Sequence, residues 1–259
     1  MGERTQYTPG TFSWVDLTTS DQEGAKAFYS GLFGWTADDR PVGDGMHYSM
    51  QQIDGKSVTA ISAQPEQQRE AGVPPLWNSY ISVESANAAA DRAQKLGATV
   101  HAPPFDVMDV GRMAVIQDPQ GAFFMPWEAK QHHGASLVNA RGALSWNELA
   151  SVDPDASAEF YREMFGWKIE PFEGMQMTYL GIQNSEGHGN GGIRSAMENE
   201  PSYWLVYFGA DDAEADTARA TELGATTLAP PTDIGVGKIA VLQDPQGAVF
   251  ALYAGRFDD

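Results

Sequence analysis

The sequence predicts an α+β protein of two tandem domains, each made of two βαβββ units whose mixed sheet curves around a cleft. Three observations carry that expectation: a duplication spanning the whole chain, a fainter repeat inside each copy, and apolar spacing that alternates between helical and strand periods. Residues 13–35, SWVDLTTSDQEGAKAFYSGLFGW, match residues 145–167, SWNELASVDPDASAEFYREMFGW, at an offset of 132 with nine identities in 23 positions. LGAT at 96–99 recurs at 223–226, and MAVIQDPQGAFF at 113–124 recurs as IAVLQDPQGAVF at 239–250. The blocks keep their order, so the expected domains are 1–129 and 144–259. Between them, 130–143 carries Gly, Asn and paired His and reads as a linker.

Within the first copy, Trp14 to Thr19 reads as a short strand and Asp21 as the cap of a helix. Ala25, Phe28, Tyr29, Leu32 and Phe33 then fall on one helical face, and Gly34 ends the helix. The second copy repeats this with Asp153 as cap, Pro154 in the first turn, and Phe160, Tyr161, Met164 and Phe165 on the face. His47 to Ile53 and Ser57 to Ser62 read as strands joined by the turn Asp54-Gly55. Trp77 to Val83 is again a strand and Ser85 to Leu96 again a helix, closed by Gly97, with two or three strands after it. The βαβββ unit therefore occurs four times. Pairing two units encloses a concave sheet face, and that cleft is the expected site of function. DPQG reads as a type I turn, Pro103-Pro104 and Pro230-Pro231 as extended loops, and GHGNGG at 187–192 as a flexible loop over the cleft.

The chain has 259 residues, 16 basic and 35 acidic side chains for a net charge of −19, and no cysteine. Disulfides, zinc-thiolate or iron-sulfur sites and a thiol nucleophile are thereby excluded. The acidic excess disfavours nucleic acid and anionic lipid, because contacts to phosphate rest on Lys and Arg. No apolar run approaches membrane-spanning length and no signal-peptide core is present, so a cytoplasmic protein is expected. No P-loop, dinucleotide fingerprint or nucleophile elbow occurs.

FYSGLFGW and FYREMFGW after a capped strand, with DPQGAFF and DPQGAVF near the end of each copy, resemble the vicinal oxygen chelate superfamily of glyoxalases, bleomycin- and fosfomycin-resistance proteins and extradiol dioxygenases. The resemblance covers 13–128 and 144–254 and is most similar to actinobacterial two-domain glyoxalase-like proteins. It implies a divalent metal bound by His or Gln on the first strand of each unit and Glu on the last, with open positions chelating two substrate oxygens. Carried over with FY and DPQG as anchors, those ligand positions fall on Trp14, Asn78 and Met125 in one copy and on Trp146, Leu205 and Ala251 in the other. None is a ligand of the family's type. The five histidines, 47, 101, 132, 133 and 188, lie off the first strands, and adjacent His132 and His133 point apart in an extended segment. No cofactor is therefore predicted; a divalent metal would need ligands this mapping misses.

Six of the seven tryptophans pair across the duplication, with Trp127 meeting Tyr253. Trp35 and Trp167, just after helix-ending glycines, read as core. Trp14 and Trp146 fall at the mouth of the cleft, and two residues on, on the same strand face, stand Asp16 and Glu148. A buried carboxylate is costly unless paired or used, so these acids are candidate acid/base catalysts, ligand acceptors, or partners of Arg112 and Lys238, which match across the repeat. Trp14, Asn78, Met125, Trp146, Arg112 and Lys238 are the candidate substrate-binding residues. Three functions stay open: a metal-independent enzyme using Asp16 or Glu148, a binding or sequestering protein with a Trp-lined cleft, and a metal-dependent lyase or dioxygenase. The expected partner is a small organic molecule, the chain itself being monomeric or a homodimer.

Overall fold

The computed structural model describes residues 2–172 and 179–256. After β1 (Gly2–Glu3), the first half runs β2 (Phe12–Thr19), α1 (Gln22–Phe33), β3 (Thr36–Gly43), β4 (Met46–Ile53), β5 (Lys56–Ala63), α2 (Glu66–Glu70), β6 (Leu76–Ser82), α3 (Ala86–Lys95), β7 (Thr99–Val107), β8 (Gly111–Gln117) and β9 (Phe123–Ala129). After β10 (Leu137–Val138), the second half repeats the pattern with β11 (Leu144–Ser151), α4 (Pro154–Phe165), β12 (Lys168–Pro171), β13 (Tyr179–Gln183), β14 (Gly189–Ser195), β15 (Tyr203–Gly209), α5 (Ala213–Glu222), β16 (Thr226–Asp233), β17 (Gly237–Gln243) and β18 (Val249–Gly255).

Each half forms one eight-stranded mixed sheet, ordered β3-β4-β5-β2-β6-β9-β8-β7 and β12-β13-β14-β11-β15-β18-β17-β16. Within each unit the first strand pairs parallel with the last, and the two units join where β2 runs antiparallel to β6 and β11 to β15. The four-unit reading therefore stands. The helix ends follow the local chemistry expected of them. Asp21 and Asp153 accept from the backbone N–H groups of Gly24 and Ala156, and Gly34 and Gly166 take the left-handed conformation, φ 76° and 71°.

The helices also tie the halves together. The aromatic side of α1 lies on the outer sheet face of the second half, with Phe28 and Phe33 against Phe250 and Phe208 at ring separations of 6.2 and 5.6 Å. Reciprocally, Phe160 and Tyr161 of α4 meet Phe124 of the first half at 6.2 and 5.8 Å. The DPQG turns anchor this exchange: Tyr29 Oη donates to Asp244 at 3.1 Å and Tyr161 Oη to Asp118 at 2.9 Å. Trp77 and Trp204 donate to those same tyrosine oxygens. Trp35 and Trp167 are core as expected, each bonded through its indole N–H to a backbone carbonyl, of Gly142 and Gly10.

Several local expectations are corrected. Pro103-Pro104 and Pro230-Pro231 lie inside the edge strands β7 and β16, not in loops, at points where the register skips a step. Proline lacks the N–H a ladder needs, and an edge irregularity is where its absence costs least. GHGNGG is not a flexible loop: a turn precedes Gly189 and the rest is β14, paired parallel with β11. A Cβ on Gly192 would enter the Tyr179 ring, so the glycine serves close packing. The connecting segment is itself built in: Leu137 and Val138 pair with Glu3 and Gly2, and Ala135 N donates to Ser13 O at 2.8 Å. The first of the three strands the βαβββ unit requires after α1, β3, left no apolar alternation to locate it, since every one of its residues is exposed.

Candidate functional site

The register places all six inherited ligand positions on the concave faces. Trp14 pairs with Tyr80 and Asp16 with Asn78 between β2 and β6, and Tyr80 in turn neighbours Met125 on β9. In the second half Trp146 pairs with Tyr207, Glu148 with Leu205, and Tyr207 neighbours Ala251. The alternation of strand side chains therefore brings Trp14, Asp16, Asn78 and Met125 onto one surface, and Trp146 and Glu148 onto its counterpart. Arg112 and Lys238 sit one residue out of that alternation and point to the helix side. Arg112 bonds Asn87, the Pro104 carbonyl and Asp106, and Lys238 bonds Glu214, so neither reaches the acids.

Asp16 is enclosed in the first half and, among the described residues, engaged only by neutral donors: Tyr48 and Tyr80 hydroxyls and Asn78 Nδ2, each at 2.8 Å. Burial pushes its carboxyl above the usual carboxylate range, and the three hydrogen bonds pull it partly back. Trp14 donates to Tyr48 Oη at 2.9 Å, closing a chain from indole to acid. His132, from the connecting segment, lies edge-on to Trp14 with ring centroids 4.5 Å apart, and Trp127 donates to its carbonyl. Trp14 is only 3% exposed. The first concave face is thus filled by its own side chains.

The second half repeats the chain with different chemistry. Trp146 donates to Tyr179 Oη at 2.9 Å, and Tyr179 and Tyr207 both donate to Glu148. Where Asn78 served Asp16, Leu205 offers nothing; Arg194 of β14 supplies the missing donor, its Nε 2.9 Å from Glu148 Oε1. The same guanidinium holds Glu200 through two bonds of 2.7 Å. Burial raises the Glu148 carboxyl above its ordinary range, against the opposing pull of Arg194 and of the two tyrosines. Trp146, Tyr203, Ile239, Val241 and Tyr253 on this face stay partly exposed. Beside Trp146 opens a depression of about 450 Å³, walled by Phe172, Gly181 and Ile182, with Arg4 and Lys168 among its polar lining. Tyr179 Oη links Glu148 to Trp146, which lines the depression.

The donor set does not fit a divalent ion at the inherited positions. Indole, thioether, leucine and alanine side chains supply no hard ligand, and Asn78 is spent on Asp16 and Thr18. Among the described residues no three His, Cys, Asp or Glu side chains converge as a metal site would require. His101 bonds Gln117, and His132 packs against tryptophan.

Several of these participants escaped the sequence reading. Tyr48 and Tyr179 stand at nearly the offset of the duplication and Tyr80 and Tyr207 at a shorter one, a signal blurred by unequal hairpins. Arg194 and Glu200 have no counterpart in the first half and left no repeat to follow.

Paired curved sheets of four βαβββ units, with inward-facing strand positions at their centre, define a glyoxalase-type fold, and the chain belongs to the Glyoxalase/Bleomycin resistance protein/Dioxygenase superfamily. That family's model matches residues 11–125, and a Glyoxalase-like domain model matches 148–253. A Mycobacterium tuberculosis protein named "Putative glyoxylase CFP32" is 43% identical over 255 residues, 97% of each chain. The Streptomyces peucetius "Anthracycline biosynthesis protein DnrV" is 31% identical, covering 96% of this chain and 94% of the relative. In three dimensions the chain is similar to the Mn(II)-bound glyoxalase from Novosphingobium aromaticivorans, with TM-score 0.67, 16% identity, and 95% and 82% of the two chains covered. It is also similar to the 2,3-dioxygenase LapB from Pseudomonas sp. KL28, with TM-score 0.63, 16% identity, and 98% and 96% covered. Among the described residues no helix is long and apolar enough to cross a membrane.

Proposed function

We propose that this protein binds a planar, largely apolar organic molecule against the concave face of its second half, with Trp146 as the stacking wall and no divalent ion at the inherited positions. The observation that carries the reading is the asymmetry between equivalent surfaces. Trp14 is sealed beneath His132, whereas Trp146 borders an open depression on a face whose Tyr203, Ile239, Val241 and Tyr253 remain partly wet. Covering partly exposed aromatic and aliphatic surface is favourable at about 25 cal/mol per Å², and aromatic rings prefer stacked or edge-on partners. The relative named for anthracycline biosynthesis supports a polycyclic aromatic ligand.

Titration with a hydroxyanthraquinone tests this through tryptophan fluorescence. Saturable quenching is expected in the wild type, unchanged after dialysis against EDTA and lost in Trp146→Phe. Quenching that survives in Trp146→Phe, or that disappears with EDTA, contradicts the reading.

A second reading, turnover at this site, is favoured by the Glu148 carboxyl, which burial raises above the ordinary carboxylate range and which Tyr179 connects to Trp146. In that role Glu148 exchanges a proton with the bound molecule by way of Tyr179, and Asp16, enclosed with its three donors, is a structural hub. Glu148→Gln then abolishes turnover while leaving quenching intact; unchanged turnover would assign Glu148 to structure.

A further inference from the structure

We infer that the molecule bound beside Trp146 carries a carboxylate, received by Arg4 at the seam between the two halves; the inference rests on the reading of Trp146 as the ligand wall. Trp146 stands where two depressions meet. The one of about 450 Å³ runs toward Phe172 and Gly181; a second, of about 440 Å³, passes Tyr7 and Thr11 of the N-terminal segment and ends near Asn184 and Asn190. Both include Arg4, Trp146 and His188, so together they form one trough with an aromatic wall and a cation beside it.

Arg4 is held there by the fold. Gly2 and Glu3 pair with Val138 and Leu137, and Arg4 N donates to Ser136 O at 3.0 Å. The other cation lining the trough is already matched, Lys168 lying 3.0 Å from Glu170, and His188 lies 3.8 Å from Glu186; beside Arg4, Glu3 is taken by Lys56. Among the described residues Arg4 has no carboxylate partner, and its guanidinium bonds only the Glu3 carbonyl, at 3.1 Å. A guanidinium with no acid partner among the described residues, in a chain of net charge −19, is a fork open to a planar carboxylate, the group that matches it bidentately. A ligand with rings on Trp146 and an acid on Arg4 would bridge second half, connecting segment and N-terminal strand.

The test compares anthraquinone-2-carboxylate with its neutral carboxamide in the wild type and in Arg4→Gln, by quenching of Trp146. The wild type is expected to bind the carboxylate about tenfold more tightly, the scale of a charge-assisted hydrogen bond, with the advantage shrinking as salt rises. Arg4→Gln should erase the preference, bringing the two probes to equal affinity. Equal affinity of the wild type for both probes overturns the assignment to Arg4 while leaving Trp146 as the wall. A preference that persists in Arg4→Gln overturns it too, and quenching by neither probe overturns both readings.

Discussion

Asp16 and Glu148 occupy equivalent positions in different company, and pH separates their roles. The enclosed Asp16 carboxyl titrates above its unfolded value, so the folded state holds its proton more tightly. Its contribution to stability is therefore greatest at low pH and declines as pH rises from the unfolded value of 3.8 through the raised folded one. Asp16→Asn should remove that decline, gaining on the wild type as pH increases in urea melts. Asp16→Ala, which strands two tyrosine hydroxyls and an amide, should cost about 2–4 kcal/mol. His132 has the opposite sign. Burial and the nearby Arg40 and His133 pull it from 6.5 to about 4, so stability is full above the unfolded value and is lost as pH falls through that window. His132→Phe should flatten the acid limb between those values; an unchanged limb would place the acid sensitivity elsewhere. At this scale the duplicated acids and tryptophans were legible because each copy vouched for the other. Arg194 was not, because it stands for a need that only one half has: Leu205 supplies no donor to Glu148.

At the scale of elements, the repeated helices and caps were readable from a few local residues, since a cap and an apolar stripe act over one or two turns. Strand β14 was misread as a flexible loop because its glycines answer to a neighbour distant in sequence. Gly192 admits the Tyr179 ring, and Tyr179 bonds both Trp146 and Glu148. Gly192→Ala should therefore cost about 1–3 kcal/mol and shift the emission of Trp146, whereas the same change in the open turn at Gly187 should leave that emission unchanged. The DPQG turns were recognised as turns, yet their aspartates also receive a tyrosine from the other half. Tyr161→Phe leaves Asp118 Oδ2 without that donor, and a loss of about 1–3 kcal/mol is expected in chemical denaturation.

As a whole molecule the chain is less divisible than its duplication suggests. Each half lends an aromatic helix face to the outer sheet of the other, and two apolar clusters draw residues from both. One cooperative unfolding transition is expected, and neither 1–129 nor 144–259 should fold alone; two separated calorimetric transitions would contradict this. Sequence identified the four units, but not which cleft stays open. That outcome depends on where the connecting segment lies, and it lies over Trp14. The central claim is that the second concave face, and not the first, receives the ligand. A crystal structure of the protein soaked with a hydroxyanthraquinone tests it most directly: density is predicted against Trp146, with Trp14 and His132 still in contact, and density between Trp14 and Trp127, with His132 displaced, would contradict the account.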